Sequence, residues 1–382
     1  MVSLSPALRF EHFQLPAAQP YALPFPLNQE KIRYYYFARN GIWDAMKIFA
    51  LSPGDEVLMP ALTSGIEVDV VRAYGLKPVF YNIQNDLSPH LTDARTKITE
   101  RTKLFYLIHY LGFPQPLPEI SQFCHTHNLQ LFEDAALSFL SADSSGRPLG
   151  STGDVGLFCP RKTAPIPHGG ILLINSNKYP TPTTKLYKPP LYSTLGAATS
   201  LFLQGERAYG GFRGLASDLL IHRCIPKIKK TLSLLNMKYV ETGTPLFDKS
   251  KTALTMSLVS RSLLLRFDYH KLFLQRRTNY QHLVSLLQDI PHITIQFPEL
   301  PPHACPMDCM IYINKRDEVM EKLKVQNIET SRIWWWNRPR EIAQPYPAIK
   351  KILEDNIVLP IHQDLASHQI ETMAMALRNA IN

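Results

Sequence analysis

Between residues 42 and about 175 the chain repeats one pattern, short apolar runs suited to strands alternating with stretches of helical spacing. IWDAMKIFAL (42–51) has helical spacing, PGDEV turns into the short run VLMP, and GIEVDVVRAYG (65–75) is helical again, with Gly75 as its C-cap. KPVFYNI, KLFYLIHY and LQLFED follow as strand runs, the last two separated by the helical PLPEISQFCHTHN (116–128). GDVGLFC and GGILLIN then bracket a loop that carries Lys162. Strands alternating with helices predict an α/β fold built on a mostly parallel, covered sheet. Ligands bind such sheets at the carboxyl ends of the strands. Asp134 ends one strand run, and Lys162 lies just past another.

Residues 180–250 break this rhythm with YPTPTTKLYKPPLY and YGGFRG (209–214), and read as an insertion. YGGFRG lacks the Gly-Lys-Ser/Thr ending of a phosphate loop and is expected to be a flexible turn. A long helical stretch then runs from 254 to 288, followed by ITIQF, CMIYIN, the charged helix RDEVMEKLKVQ and the terminal helix HQIETMAMALRNAI, a smaller α+β unit. With 382 residues, 45% of them hydrophobic, the chain can bury a large core and divide in two. The expected organisation is an N-terminal segment (1–30), a large domain (31–250) and a linking helix with a small C-terminal domain (251–382).

No run of about 18 apolar residues predicts a membrane span, and MVSLSPALRFEHF has neither the charged start nor the apolar core of a secretory signal. Five scattered cysteines suit a reducing cytosol better than a disulfide framework. His303, Cys305 and Cys309 in HACPMDC lack a second ligand pair at zinc spacing, so no metal site is expected. The formal charge of +9 favours anionic partners. It reads as spread along the chain, with KIKK (227–230) as its densest run and a solvated helix face as its meaning. No nucleic-acid-binding module is present to use it.

LQLFEDAALS places Glu133 and Asp134 at the end of an apolar strand, where a carboxylate needs a partner. Lys162 follows Asp134 by 28 residues, one strand later, so neighbouring strand ends would bring both to one ligand. A lysine desolvated in a crevice becomes a nucleophile for carbonyl carbon. A buried aspartate keeps a heteroaromatic nitrogen protonated. These are the two demands of pyridoxal 5′-phosphate. A plain Asp–Lys ion pair would satisfy the same two residues, and the pair alone does not decide between them.

The surrounding text does. RNGIWDAMKIFALSPGDEVLMPALTSG, GLKPVFYNI, RTKLFYLIHYLG, LFEDAALS, GRPLGSTGDVGLFCPRKTAPIPHGG and NIVLPIHQDL occur in an order that resembles the DegT/StrS family of pyridoxal-phosphate-dependent sugar aminotransferases. The resemblance covers roughly 30–175 well and 250–382 more loosely. It implies an aspartate-aminotransferase-like (type I) large domain with a smaller C-terminal domain, working as a cytoplasmic homodimer. It makes Lys162 the Schiff-base lysine, followed by the family's glycines at Gly169 and Gly170, and Asp134 the partner of the pyridine nitrogen. Arg39, Asn40 and Gly41 match the turn that opens the first helix and holds the cofactor phosphate, a role a helix N-terminus suits. The alternative for Arg39 is a surface arginine near a loop, and the phosphate role is the favoured one. His109 matches a histidine near the site or, on the bland reading, caps a strand end.

Several positions depart from the family pattern. Ser64 stands where many members stack an aromatic on the cofactor ring, Leu137 replaces a Gln or His, and Leu157 replaces a phosphate-binding serine. His168 takes the place of an acidic residue and Arg39 that of a small hydroxyl residue. The asparagine that reaches in from the partner subunit has no equivalent, ALTMS (253–257) being the nearest text. SRIWWWNRPR (331–340) matches the segment lining the substrate side, where Trp334, Arg332 and Arg338 could stack on a ring and hold an anion. At least one of its three tryptophans must pack elsewhere. The resemblance implies transfer of an amino group from an amino acid, glutamate by expectation, to an anionic keto acceptor, most often a nucleotide-linked keto-sugar. Members that dehydrate sugars carry histidine in place of the lysine, so Lys162 sets this chain apart from them. The departures keep two rivals open, a relative that has lost turnover and an enzyme with a non-sugar acceptor.

Overall fold

In the computed structural model, which describes residues 1–14, 22–209, 211–227, 240–241, 246–334 and 345–381, the alternating stretch folds as its pattern predicts. After a short helix, α1 (Phe10–Gln14), come β1 (Ile32–Tyr35), α2 (Ala38–Ile48), β2 (Glu56–Pro60), α3 (Ile66–Ala73), β3 (Lys77–Tyr81) and α4 (Leu91–Thr96). β4 (Thr102–Ile108), α5 (Leu117–Thr126), β5 (Gln130–Asp134), β6 (Val155–Phe158) and β7 (Gly170–Ile174) complete the unit. The strands form one sheet in the order β1-β7-β6-β5-β4-β2-β3. β6, β5, β4, β2 and β3 run parallel, while β7 is antiparallel to β6 and β1 to β7. Every residue of β2, β6 and β7 is buried, as strands covered on both faces require.

α2 starts four residues before the apolar spacing does. Asn40 and Gly41 are poor helix formers, but packing overrides propensity. A Cβ on Gly41 would lie 2.8 Å from Leu157 Cδ1, and one on Gly170 would lie 2.3 Å from Ala38 Cα. Only glycine at 170 lets the first turn of α2 press against β7, at the end of the loop that carries Lys162. Gly75 ends α3 as expected, with φ +92° and its N–H donating to Arg72 O at 2.9 Å.

The insertion is more ordered than its prolines suggest, with helices α6 (Leu191–Tyr209) and α7 (Gly211–Leu219). Residues 211–214 of YGGFRG are therefore helical, not a flexible turn; α7 packs on α6, and that packing offsets the entropic penalty of its glycines. Of KIKK only Lys227 falls within the described residues. The expected single helix over 254–288 is two helices, α8 (Leu258–Leu264) and α9 (Tyr269–Leu287). Asp268 divides them by accepting the Lys271 N–H at 2.9 Å, an N-cap that starts a new helix. Beyond lie β8 (Thr294–Ile295), β9 (Asp308–Tyr312), α10 (Arg316–Val325), α11 (Pro347–Asp355), β10 (Asn356–Pro360) and α12 (Ser367–Ile381). β10, β9 and β8 make a small antiparallel sheet. Among the described residues no helix is long and apolar enough to cross a membrane.

One side chain ties the two sheets together. Arg276 of α9 is 1% exposed. Its guanidinium donates to Gln363 Oε1 (2.9 Å), Met307 O (2.8 Å), Pro306 O (3.3 Å) and Thr163 O (3.2 Å). Gln363 Nε2 donates to the same Thr163 carbonyl at 3.2 Å. Burial lowers the Arg276 pKa, yet the fork of donors is matched by four acceptors. Arg276→Leu is expected to lower stability in urea unfolding by about 3 kcal/mol, because those acceptors lose a charged donor. Arg276→Lys should recover less than half of that, since an ammonium cannot reproduce the planar fork. Full recovery by lysine would mean that charge alone holds the joint.

Candidate active site

Parallel pairing of β5 with β6 sets Asp134 opposite Leu157. Past the end of β6 the chain turns once as a 3-10 helix, Pro160–Lys162, with the Lys162 N–H donating to Cys159 O at 3.0 Å. Lys162 and Asp134 thereby line one cavity of about 170 Å³ at the carboxyl edge of the parallel strands. Arg39, Arg161, Glu67 and Ser64 add the other polar groups of its wall, and Leu137, Leu157 and Trp334 are among its apolar ones. No ion pair within 4.0 Å joins Asp134 to a cation among the described residues, so the plain Asp–Lys bridge is not what the fold builds.

Successive residues of a strand face opposite ways, and this divides the two carboxylates of β5. Glu133 turns into the protein. It accepts from Gly150, Thr152 and Gly153 N–H groups at 2.5, 2.9 and 2.8 Å and pairs with His109 Nε2 at 2.8 Å. Burial works against its charge, but His109 and the backbone donors outweigh burial and hold it below the ordinary carboxylate range. Asp134 turns to the cavity with only neutral donors, the Tyr106 hydroxyl at 2.6 Å and the Ala136 N–H at 2.9 Å. Burial, helped by the charge of Glu67, pushes it up to about 6.

The opposite end of the cavity is positive. Phe37 precedes α2 without a side-chain cap, and the first N–H groups of a helix have no intrahelical acceptor. Ala38 and Arg39 line the cavity at that terminus. The Arg39 guanidinium sits 3.9 Å from the Phe37 ring centroid; burial and neighbouring Arg161 lower its pKa to about 10, which leaves it charged at neutral pH. A helix N-terminus and two guanidinium groups beside a lysine give this end of the cavity the chemistry to hold an anion.

Five expected residues stand elsewhere or differ in role. Asn40 donates to Lys251 O at 2.9 Å, and Gly41 abuts Leu157, so both serve packing behind the helix terminus. His109 accepts the Gln115 N–H on Nδ1 at 3.2 Å, which puts its proton on Nε2 toward Glu133; it is a buried partner of that carboxylate and lies outside the cavity wall. His168 stacks on Tyr36 with centroids 3.8 Å apart, away from the cavity wall. Burial and Arg161 push its pKa down to about 3, so it is a neutral ring there. Arg332 pairs with Asp317 at 3.0 Å in a separate groove. Arg338, like Trp335 and Trp336, lies outside the described residues. Trp334 does line the cavity, and so does Ser64. Cys305 and Cys309 are buried, and burial raises their thiols to about 11 and about 12. Among the described residues no group of three or more His, Cys, Asp or Glu could hold a metal.

Two charged cavity residues escaped the sequence reading. Arg161 had its signal in plain view beside Lys162. Glu67 had none, since a carboxylate in the first turn of an amphipathic helix usually faces water. Here it is 7% exposed, accepting the Ser64 N–H at 3.2 Å and the Ser64 hydroxyl. Ser64 is thus the holder of a second cavity carboxylate.

A family model described as the DegT/DnrJ/EryC1/StrS aminotransferase family matches residues 39–188 and 257–378. A dTDP-4-dehydro-2,3,6-trideoxy-D-glucose 4-aminotransferase of Saccharopolyspora spinosa is 22% identical over 370 residues, spanning 93% of this chain and 86% of that protein. A GDP-perosamine synthase of Escherichia coli O157:H7 is 29% identical over 154 residues, 39% of this chain and 42% of that one. Among solved structures, Helicobacter pylori PseC, an aminotransferase involved in the biosynthesis of pseudoaminic acid, superposes with TM-score 0.66 at 15% identity, over 92% of this chain and 86% of that one. DesV of S. venezuelae gives TM-score 0.64 at 18% identity, over 92% and 85%. These two likenesses establish the aminotransferase fold.

The raised pKa of Asp134 has a consequence for stability. A carboxyl whose folded pKa exceeds its unfolded value of 3.8 contributes stability that is complete below about pH 4 and lost as pH rises through about 6. Above that range its ionised form costs the empty protein about 1–3 kcal/mol. Asp134→Asn is therefore expected to raise the melting temperature of the cofactor-free protein at about pH 8 and to leave it nearly unchanged at about pH 4. Equal destabilisation at both pH values would show that the Tyr106 and Ala136 hydrogen bonds outweigh the burial of charge.

Proposed function

The chain belongs to the DegT/DnrJ/EryC1/StrS aminotransferase family, and on that premise we propose that it is a pyridoxal-phosphate-dependent transaminase. It takes an amino group from an amino acid, with glutamate as the expected donor, and delivers it to the ketone of a nucleotide-linked sugar. The observation that carries this reading is a single cavity with a lysine, a buried carboxylate held by neutral donors, and a positive helix terminus. The relatives' names supply the sugar class, and the two arginines at the helix terminus suit an anionic ligand. A cytoplasmic homodimer is part of the same proposal.

The residues present fit the cofactor. Asp134, raised by burial and lacking a cation within ion-pairing distance among the described residues, suits a protonated ring nitrogen that would restore its charge. The N-terminus of α2 with Arg39 and Arg161 suits the phosphate, in place of the serine that Leu157 replaces. When bound, pyridoxal 5′-phosphate supplies an aldehyde for amines and a protonated ring that accepts electrons from the donor's Cα. Lys162 Nζ would hold the group and would carry the proton to and from the donor's Cα. Asp134 would favour positive charge on the ring nitrogen, while Tyr106 and the Ala136 N–H hold its carboxylate in line. Leu137, Leu157 and Trp334 keep the cavity wall apolar, which strengthens each of these charge interactions.

A second reading, binding without turnover, draws on Glu67, an extra negative charge in the cavity that the ligand's electronics must tolerate. The half-reaction separates the two. Protein loaded with pyridoxal 5′-phosphate and given L-glutamate should release 2-oxoglutarate in an amount equal to the bound cofactor. Lys162→Ala should slow that release by at least about 10³-fold. Cofactor that binds yet releases no keto acid with any amino acid would favour the second reading.

A further inference from the structure

The family model leaves residues 189–256 unmatched, and there the chain departs from the usual arrangement of a soluble helix. α7 turns its small residues inward, with Gly214 buried 3.2 Å (as a would-be Cβ) from Arg207 O of α6 and Ser217 3% exposed. Its large apolar residues face solvent, Phe212 at 87%, Leu215 at 72% and Leu219 at 51% exposure. Spacings of three and four put them on one face, which exposed Leu220 continues. α6 likewise exposes Leu191 and Leu195, four apart.

Charge concentrates in the same stretch of the sequence. From Lys185 to Lys238 the sequence holds nine lysines and arginines and two acidic residues, so this stretch supplies seven of the nine net positive charges. That corrects the impression of charge spread along the chain. The two acids, Glu206 and Asp218, already pair with Arg213 and Arg207 at 3.3 and 2.8 Å, so the excess is positive throughout.

We propose that this segment seats the protein on an anionic lipid surface, the apolar face of α7 entering the headgroup layer while the surrounding lysines and arginines meet acidic headgroups. The two observations select this occupant together. A second copy docking through the same face would bring two strongly positive segments together. A nucleic acid would use the charge but leave Phe212, Leu215 and Leu219 in water. The lack of a spanning helix does not bear on a helix that lies in the interface.

The test is flotation of the full-length protein with vesicles of phosphatidylcholine alone or mixed with phosphatidylglycerol, beside Phe212→Ser/Leu215→Ser/Leu219→Ser. Wild type should float with the mixed vesicles at least about tenfold more than with the neutral ones, and high salt should release most of it. The triple variant should stay in solution with an unchanged melting temperature. Absence of flotation with either vesicle, or a triple variant that floats like wild type, would overturn the proposal. A wild type that stays in solution as an oligomer which the triple variant splits would overturn it in favour of a second copy on this face. None of these outcomes depends on the transaminase reading.

Discussion

A carboxylate taken out of water must be compensated, and the end of β5 does this for one of two neighbours only. Glu133 receives three backbone N–H groups and a histidine. Asp134, one residue on and facing the other way, receives two neutral donors and is left with a raised pKa against an open cavity. The fold thereby keeps one buried charge unsatisfied at the carboxyl edge of the sheet, where a ligand can meet it. The rest of the site is arranged around that point. Parallel pairing delivers Lys162, and Gly170 lets α2 bring its positive end to the same cavity.

The position of Lys162 depends on a second buried group far from it in sequence. Arg276 and Gln363 both hold the carbonyl of Thr163, so the lysine loop is fixed by α9 and by the segment after β10 as well as by its own turn. The small sheet thus acts as a clamp on the residue beside the reactive amine. Placing a catalytic group through a rigid, fully hydrogen-bonded neighbour is how a loop acquires the precision of a strand.

Much of this was legible in the sequence because it depends on periodicity. The parallel strands, α3 with Gly75 as its cap and the placement of Asp134 and Lys162 all follow from runs of apolar residues and the rule that strand ends make sites. What stayed illegible depends on long-range contact. The break at Asp268 is a cap hidden inside a continuous helical pattern. His109 and His168 sit at motif positions, yet their neighbours are Glu133 and Tyr36, which sequence distance does not reveal. Glu67 reads as an ordinary first-turn acid, and only the closing of the cavity makes it a buried one. Arg276, the joint of the structure, looks like any arginine on a helix.

The departures from the family pattern therefore form a connected set. Leu157 fills the space against Gly41, Arg39 and Arg161 supply charge at that end, and Ser64 holds Glu67. The central claim is that these substitutions leave Lys162 as the covalent anchor. The most direct measurement is borohydride reduction of the protein incubated with pyridoxal 5′-phosphate, followed by peptide mapping by mass spectrometry. A single pyridoxyl group on the peptide containing Lys162 is the predicted result. A label scattered over surface lysines, with Lys162 unmodified, would contradict the account.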